Sequence, residues 1–140
     1  MKDKYANFGQ LAESEKRGQD FRVRSRARAA ATVVVARHGG EIEPGTSEIA
    51  EAIAGADLSF YAFEGTKARD NRRLHITTTN FDEPCCLALV AASERVITIH
   101  GANSDQPVVM LGGRDKATAQ RLSKALRLRG FRVKTNASRL

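Results

Sequence analysis

The sequence predicts an α/β fold of three layers, with helices on both faces of a mixed, mostly parallel central sheet. Three observations predict it. Thr32–Ala36 is a continuous β-branched and apolar run, which is typical of a strand buried on both faces. Segments of strand character alternate with segments of helical periodicity along the chain. Finally, 140 residues suffice for one hydrophobic core, so we expect a single domain over residues 1–140.

A helix and an edge strand are predicted ahead of this central strand. Apolar residues at helical spacing predict the helix over Asn7–Arg17. Phe21–Arg28 is predicted to be extended, and every second residue in it is an arginine. Because four arginines on one face cannot all be buried, we expect this strand to lie at the edge of the sheet.

The central strand ends at His38-Gly39-Gly40 and should lead through a loop into a second helix. We predict this helix over Ser47–Ala54, with Thr46 or Ser47 as its N-cap and Gly55 at its end. Its core-facing residues would be Ile49 and Ile53.

The remaining elements continue the alternation of strands and helices. Asn80–Glu83 is similar to a capping box and precedes Pro84, so we predict a helix from there to Ala92. An amphipathic helix is predicted over Asp115–Arg129. Its inward residues would be Leu122, Ala125 and Leu126. The other predicted strands are Leu58–Phe63, Leu74–Thr78, Arg95–His100, Pro107–Leu111 and Phe131–Thr135.

The charge of the chain indicates a polyanionic partner. Its formal net charge is +7, and the basic residues cluster in Lys16–Arg37 and Arg114–Leu140. The longest apolar run, Cys85–Ala92, is far shorter than the roughly 20 residues of a membrane span. We therefore expect no membrane partner. The N-terminus shows no signal peptide and the adjacent pair Cys85-Cys86 excludes a disulfide framework, so we expect a cytoplasmic location.

The histidines predict a metal site. His38 and His100 each follow a predicted strand and precede a glycine, and ligands of α/β sheets bind beyond the carboxyl ends of the strands. Glu43 lies on the loop after His38. Two histidines and one glutamate form a ligand set of catalytic zinc, which leaves one position for water.

Other residues near this set have alternative roles. Glu41 is a competing ligand, because strand-like alternation would place it on the same side as Glu43. Glu48 is expected in the first helical turn, where an acid favours the helix dipole, or as outer support to a histidine ligand. His75 would either contact substrate near the metal or lie at a strand edge. Arg73 could clamp a substrate carboxylate or lie in a solvated loop.

Five stretches of the sequence carry a resemblance. They occur in the expected order and are HGGEIEPGTSEIAEAI (His38–Ile53), SFYAFEG (Ser59–Gly65), LHITTTNFDEP (Leu74–Pro84), VITIHGA (Val96–Ala102) and LGGRD (Leu111–Asp115). The chain resembles the phage and bacterial poly-γ-glutamate hydrolases, a family also labelled phage-related replication proteins. The resemblance implies a zinc-carboxypeptidase-like fold and cleavage of γ-glutamyl amide bonds by a metal-bound water. It also implies Zn²⁺ on His38, Glu43 and His100, and a protein released by phage lysis.

One catalytic group of the family has no counterpart in this sequence. The resemblance implies a glutamate base on a strand that would follow Leu140, so the sequence is expected to be C-terminally truncated. The catalytic base is therefore unassigned, with Glu41 as the first candidate. Two alternative functions stay open, namely a replication or nucleic-acid-associated protein and a zinc-binding homologue without turnover. The charge supports nucleic-acid binding, but no nucleic-acid-binding motif does.

Overall fold

The computed structural model describes residues 2–135, which divide into one unit up to Gly101 and a second unit from Ala102. The first unit contains α1 (Phe8–Ser14), β1 (Phe21–Arg26), β2 (Thr32–Gly40), α2 (Thr46–Ala54), β3 (Ser59–Gly65), α3 (Pro84–Ala91) and β4 (Arg95–Thr98). The second unit contains β5 (Val109–Leu111), α4 (Lys116–Leu128) and β6 (Val133–Thr135). A single domain over residues 1–140 stays a prediction.

A four-stranded sheet organises the first unit, in the order β1-β3-β2-β4. Strand β1 is antiparallel to β3, whereas the pairs β2–β3 and β2–β4 are parallel. The predicted mixed, mostly parallel sheet is therefore confirmed, and so is the edge position of β1. In the second unit, β5 and β6 form a separate parallel pair.

Helices cover both faces of the four-stranded sheet, which confirms the predicted three layers. On one face, α1 and α3 pack through Leu11, Cys86 and Leu89 against large side chains of the strands. On the other face, α2 packs through Ala50 and Ala54. Strand β2 is buried on both faces because its alternate residues belong to the two clusters, Val33 and Val35 to the first, and Val34 and Ala36 to the second.

The orientation predicted for α2 is wrong. Ile49 and Ile53 are 53% and 46% exposed, and the buried side of the helix consists of small residues. The reason is a close approach to β2, since a Cβ on Gly39 would collide with the Ser47 hydroxyl. Only small side chains fit between surfaces this close. The N-cap is also different from the prediction, because Gly45 occupies it in a left-handed conformation.

The predicted strand over Leu74–Thr78 is also wrong. Two 3₁₀ turns, Asn71–Leu74 and Thr78–Asn80, lie on either side of an extended connection. Leu74 and Ile76 are fully buried, so the alternation of apolar residues does report burial. The hydrogen bonds that this segment makes from backbone to backbone are local, however, and the four-stranded sheet contains no strand from it.

Helix α4 is present, but its predicted inward residues are not buried. No residue of α4 is buried, and Leu122 is 38% exposed. Within residues 102–135, its sheet partner consists of two three-residue strands, which are too small to cover the apolar side of a 13-residue helix. Over residues 2–135, none of the helices has the length and apolar character that crossing a bilayer requires.

Candidate metal centre

His38 is the most buried member of a histidine cluster at the carboxyl end of β2. The register of β2 against β3 shifts between Ala36 and Gly39, and His38 lies within this irregular stretch. Its Nε2–H donates to the Ile76 carbonyl oxygen at 2.8 Å. The lone pair is therefore on Nδ1, which is buried and has no hydrogen-bond partner among the residues that the structure describes. Burial lowers the pKa of His38, so the ring is neutral near pH 7.

Glu43 faces that unpartnered nitrogen from the loop between β2 and α2. The loop is closed by its own backbone, because the Glu43 N–H donates to the His38 carbonyl oxygen at 2.8 Å. One carboxylate oxygen, Oε1, lies 3.4 Å from His38 Nδ1. The other, Oε2, accepts a hydrogen bond from the Gly101 N–H at 2.9 Å. Glu43 thereby links the ends of the parallel strands β2 and β4.

His100 approaches the same carboxylate from the end of β4. Its Nδ1 lies 3.6 Å from Glu43 Oε2, and its ring centroid lies 5.3 Å from that of His38. Burial lowers the pKa of His100, while the charge of Glu43 opposes that shift. The structure therefore brings together the three residues, His38, Glu43 and His100, that the sequence singled out.

His75 completes the cluster and is fixed by an unexpected partner. Its ring stacks on that of His38, with centroids 4.0 Å apart and planes inclined by 28°. Its Nδ1–H donates to Asp3 Oδ1 at 2.7 Å, and the Thr77 N–H donates to Asp3 Oδ2 at 2.6 Å. Burial alone would raise the pKa of Asp3, but these hydrogen bonds and the His75 charge lower it overall. Nothing in the sequence signals this contact across 72 positions.

The donor atoms of the cluster suit a transition metal. Ligand atoms of His38, Glu43 and His75 lie within 4.8 Å of one another. Two ligands about 2.1 Å from a tetrahedral zinc ion are about 3.4 Å apart, which matches the separation of His38 Nδ1 and Glu43 Oε1. Neutral imidazole nitrogens and a carboxylate are zinc ligands. The buried, unpartnered Nδ1 of His38 is the strongest sign, because buried polar atoms normally have partners.

The other predicted residues lie outside the cluster or face elsewhere. Glu41 is exposed, and so is Glu48 in the first turn of α2. The Arg73 Nε lies 3.0 Å from the buried carboxylate of Glu15. Its neighbour Arg72 lines a cleft of about 230 Å³ together with His75 and Glu43. Roles in binding or catalysis for Glu41, Glu48 and Arg73 stay predictions.

Comparison with known proteins gives a consistent family. A family model described as poly-gamma-glutamate hydrolase matches residues 5–140. The UPF0714 protein YmaC of Bacillus subtilis (strain 168) is 34% identical over 137 residues, which cover 98% of this chain and 58% of YmaC. The UPF0714 protein YndL of the same strain is 39% identical over 129 residues, or 92% of this chain and 50% of YndL. The chain thus spans about half the length of these relatives.

Two solved structures share the fold. Zinc-free apo YndL matches with a TM-score of 0.93 and 37% identity, over 99% of this chain and 68% of that chain. A bacteriophage poly-gamma-glutamate hydrolase matches with a TM-score of 0.94 over the same shares, at 24% identity. At that identity the second match supports the fold alone.

Proposed function

The chain belongs to the poly-gamma-glutamate hydrolase family, and we propose on this basis that it is a zinc-dependent hydrolase of γ-glutamyl amide bonds. The family supports poly-γ-glutamate as the substrate. The relative described as zinc-free supports zinc as the metal. The observation that carries the proposal is the buried Nδ1 of His38, which lacks a partner and faces Glu43 at 3.4 Å.

We assign His38, Glu43 and His100 as the residues that would hold zinc. His75 is the alternative third ligand, because it and not His100 has a ligand atom within 4.8 Å of those of both His38 and Glu43. We prefer His100 because its Nδ1 lies 3.6 Å from Glu43 Oε2 and it follows β4, the parallel neighbour of β2. His75 instead has its Nδ1–H bound to Asp3.

Each residue then has a defined part in hydrolysis. Zinc, when bound, would polarise the amide carbonyl and acidify a water molecule. His38 and His100 are kept neutral by burial, as ligation requires. Asp3 holds the proton of His75 on Nδ1, which leaves Nε2 as the atom that can accept a proton in the cleft. The net positive charge would attract the carboxylate polymer.

The test combines metal analysis with hydrolysis of poly-γ-glutamate. We expect one zinc per chain, and polymer shortening that a chelator stops and added zinc restores. Glu43→Gln should lose both zinc and hydrolysis. Glu94→Gln is the matched control, since Glu94 is an exposed glutamate directly before β4, at the opposite end of that strand from His100. Hydrolysis that survives chelation, or a wild-type chain that binds no zinc, would contradict the proposal.

Zinc binding without fast turnover is the second candidate. Within residues 2–135, the carboxylates in contact with the cluster are Glu43, the proposed ligand, and Asp3, which already binds His75 and Thr77. Glu41, the first candidate base, is exposed. A chain that binds one zinc per molecule but leaves the polymer intact would favour this candidate.

A further inference from the structure

Arg37 lies next to His38 in β2, and its guanidinium has no anionic partner within residues 2–135. The residue is half-buried, and its Nε is buried without a hydrogen-bond partner. Its Nη1 donates a long hydrogen bond to the Thr98 hydroxyl at 3.4 Å. Within residues 2–135, the partners of its five N–H donors are neutral groups, the Thr98 hydroxyl and the Cys86 thiol.

No carboxylate of residues 2–135 lies within 4 Å of this guanidinium. The arginines of β1 differ in this respect, since Arg22 and Arg24 both pair with Glu64. Helix α3 packs on β2 and begins after the buried Glu83, but that carboxylate accepts hydrogen bonds from the Tyr61 hydroxyl and the Cys86 N–H. Because an unpaired, partly desolvated charge is costly, this position favours an external anion.

The guanidinium also lies beside the strand that leads to His100. Its hydrogen-bond partner Thr98 is the last residue of β4, the parallel neighbour of β2, and precedes His100 by two residues. In agreement with this position, the charge of Arg37 contributes to the low pKa of His100, after burial and the opposing charge of Glu43. Burial raises the pKa of the Cys86 thiol, and the charge of Arg37 and its hydrogen bond with the thiol oppose this. Arg37 therefore lies between α3 and the end of β4, beside one of the proposed ligands.

We propose that Arg37 binds the free carboxylate of a γ-glutamyl unit at the bond to be cleaved. This inference rests on the proposed function. In a γ-linked polymer the carbon bonded to the amide nitrogen carries the free α-carboxylate, whereas in an α-linked polymer the carboxylate is at the end of the side chain. A guanidinium fork binds a carboxylate through two parallel hydrogen bonds, so Arg37 would position the linkage and distinguish it from an α-linkage.

The experiment measures binding of a γ-glutamyl oligomer by calorimetry at fixed ionic strength, with zinc-loaded and metal-free protein. Arg37→Gln should weaken binding about 10- to 100-fold, the range for a charged hydrogen-bonded contact. Arg37→Lys keeps the positive charge but cannot form two parallel hydrogen bonds to a carboxylate, so it should weaken binding of the oligomer less than Arg37→Gln does. Arg69→Gln, at an exposed arginine, is the matched control and should change binding less than threefold. The same oligomer with amidated α-carboxylates should bind wild type and Arg37→Gln equally.

A second measurement needs no variant. In the ¹⁵N-labelled wild-type chain, the Nε–H resonance of Arg37 should shift on addition of the acidic oligomer but not of the amidated one. Equal binding by Arg37→Gln and Arg69→Gln, or an unchanged Nε–H resonance at saturation, would overturn the inference alone. Failure of wild type to bind any γ-glutamyl oligomer would overturn the proposed substrate and this inference together.

Discussion

At the residue scale, the chemistry of the metal centre depends on which nitrogen of each histidine keeps a free lone pair. The Ile76 carbonyl oxygen accepts the Nε2–H of His38, and the Asp3 carboxylate accepts the Nδ1–H of His75. The free lone pair is therefore on Nδ1 of His38 and on Nε2 of His75. Such hydrogen bonds fix the tautomer of a histidine before a metal binds, which is a common role of carbonyl and carboxylate groups around metal centres.

Removal of His100 should damage zinc binding far more than removal of His75. We expect His100→Ala to lose at least about 100-fold in zinc affinity, because it removes a ligand. His75→Ala should lose less than about tenfold, since His75 makes no hydrogen bond to a proposed ligand, the contact that typically contributes 10- to 100-fold. Competition against a zinc-chelating dye measures both. The reverse ranking would assign His75 as the third ligand.

The metal-free protein should become less stable as the pH falls through about 6.5. Burial lowers the pKa values of His38 and His100 in the folded state, so the unfolded chain binds more protons in this range. The free energy of unfolding therefore rises with pH over this range. The contribution of the two neutral histidines to it is fully present above their unfolded pKa and is lost as the pH falls through their lower folded pKa values.

Urea unfolding in chelator between pH 5.5 and 7.5 measures this dependence. We expect a lower midpoint at pH 5.5 than at pH 7.5, and a shallower pH dependence in His38→Gln. A midpoint that is constant or increases toward pH 5.5 would show that burial does not keep these rings neutral.

At the scale of elements, the loop that carries Glu43 depends on a close contact between two strands. Gly40, at the end of β2, has a φ of +60°, and a Cβ there would collide with the carbonyl oxygen of Gly65 in β3. Gly45, in the same loop, has a φ of +91° but no heavy atom within 4 Å of its Cβ position. The two glycines separate the effect of backbone conformation from that of contact.

Gly40→Ala should therefore be more disruptive than Gly45→Ala. Both changes incur the cost of a left-handed alanine, about 1–2 kcal/mol, but only the first forces β2 and β3 apart. We expect Gly40→Ala to lower both the free energy of unfolding and the zinc affinity, since Glu43 follows three residues later. Urea unfolding and zinc titration of the two variants test this, and equal effects would exclude the strand contact as the cause.

The local sequence pattern correctly predicted the elements that pack on their neighbours at an ordinary distance. The β-branched run Thr32–Ala36 forms a buried central strand, because helices cover both faces of the sheet and its alternate side chains pack against both layers. The same reasoning predicted that Ile49 and Ile53 face the core, but both are exposed. The close contact of Ser47 with Gly39 leaves room only for small side chains between α2 and β2. The alternating burial of Leu74 and Ile76 is typical of a strand, but this segment belongs to neither sheet. A strand also needs a partner strand beside it, and the sequence of the segment does not show whether one is there.

The candidate site was predictable to a similar extent. His38 lies near the end of β2 and His100 follows β4, and parallel neighbours end at the same edge of a sheet, so their proximity follows from topology. The contact of Asp3 with His75 does not, because it depends on how the segment before α1 crosses the 3₁₀ turns. Arg37 is one more arginine in the sequence and becomes distinctive only because no carboxylate among residues 2–135 pairs with it.

At the scale of the whole molecule, the two units differ in charge. Residues 102–140 contain nine of the 23 lysines and arginines but only two of the 16 acids, so the whole net charge of +7 comes from them. Residues 1–101 are neutral in sum, and the three arginines of β1, Arg22, Arg24 and Arg26, are paired with Glu51 or Glu64. We therefore expect the second unit to supply the attraction for a polyanion, whereas the candidate metal centre belongs to the first.

Binding of poly-γ-glutamate should consequently depend on salt and on helix α4. Screening shortens the range of these charges from about 10 Å at 0.1 M salt to about 3 Å at 1 M, so we expect at least tenfold weaker binding at the higher concentration. Replacing the exposed Lys116, Arg121 and Lys124 by glutamine should weaken low-salt binding and flatten its salt dependence. The same replacement at the exposed Lys16, Arg17 and Arg69 removes equal charge from the first unit and should have a smaller effect.

Fluorescence anisotropy with labelled polymer measures these affinities, and zinc content should stay unchanged in both triple variants. Duplex DNA at the same ionic strength is the decisive competitor, because a basic helix attracts any polyanion but the proposed metal centre and Arg37 favour a carboxylate polymer. We therefore expect the three changes in α4 to weaken binding of both polymers, and Arg37→Gln to weaken that of poly-γ-glutamate alone. DNA binding more than tenfold tighter than polymer binding would favour a nucleic-acid-associated function instead.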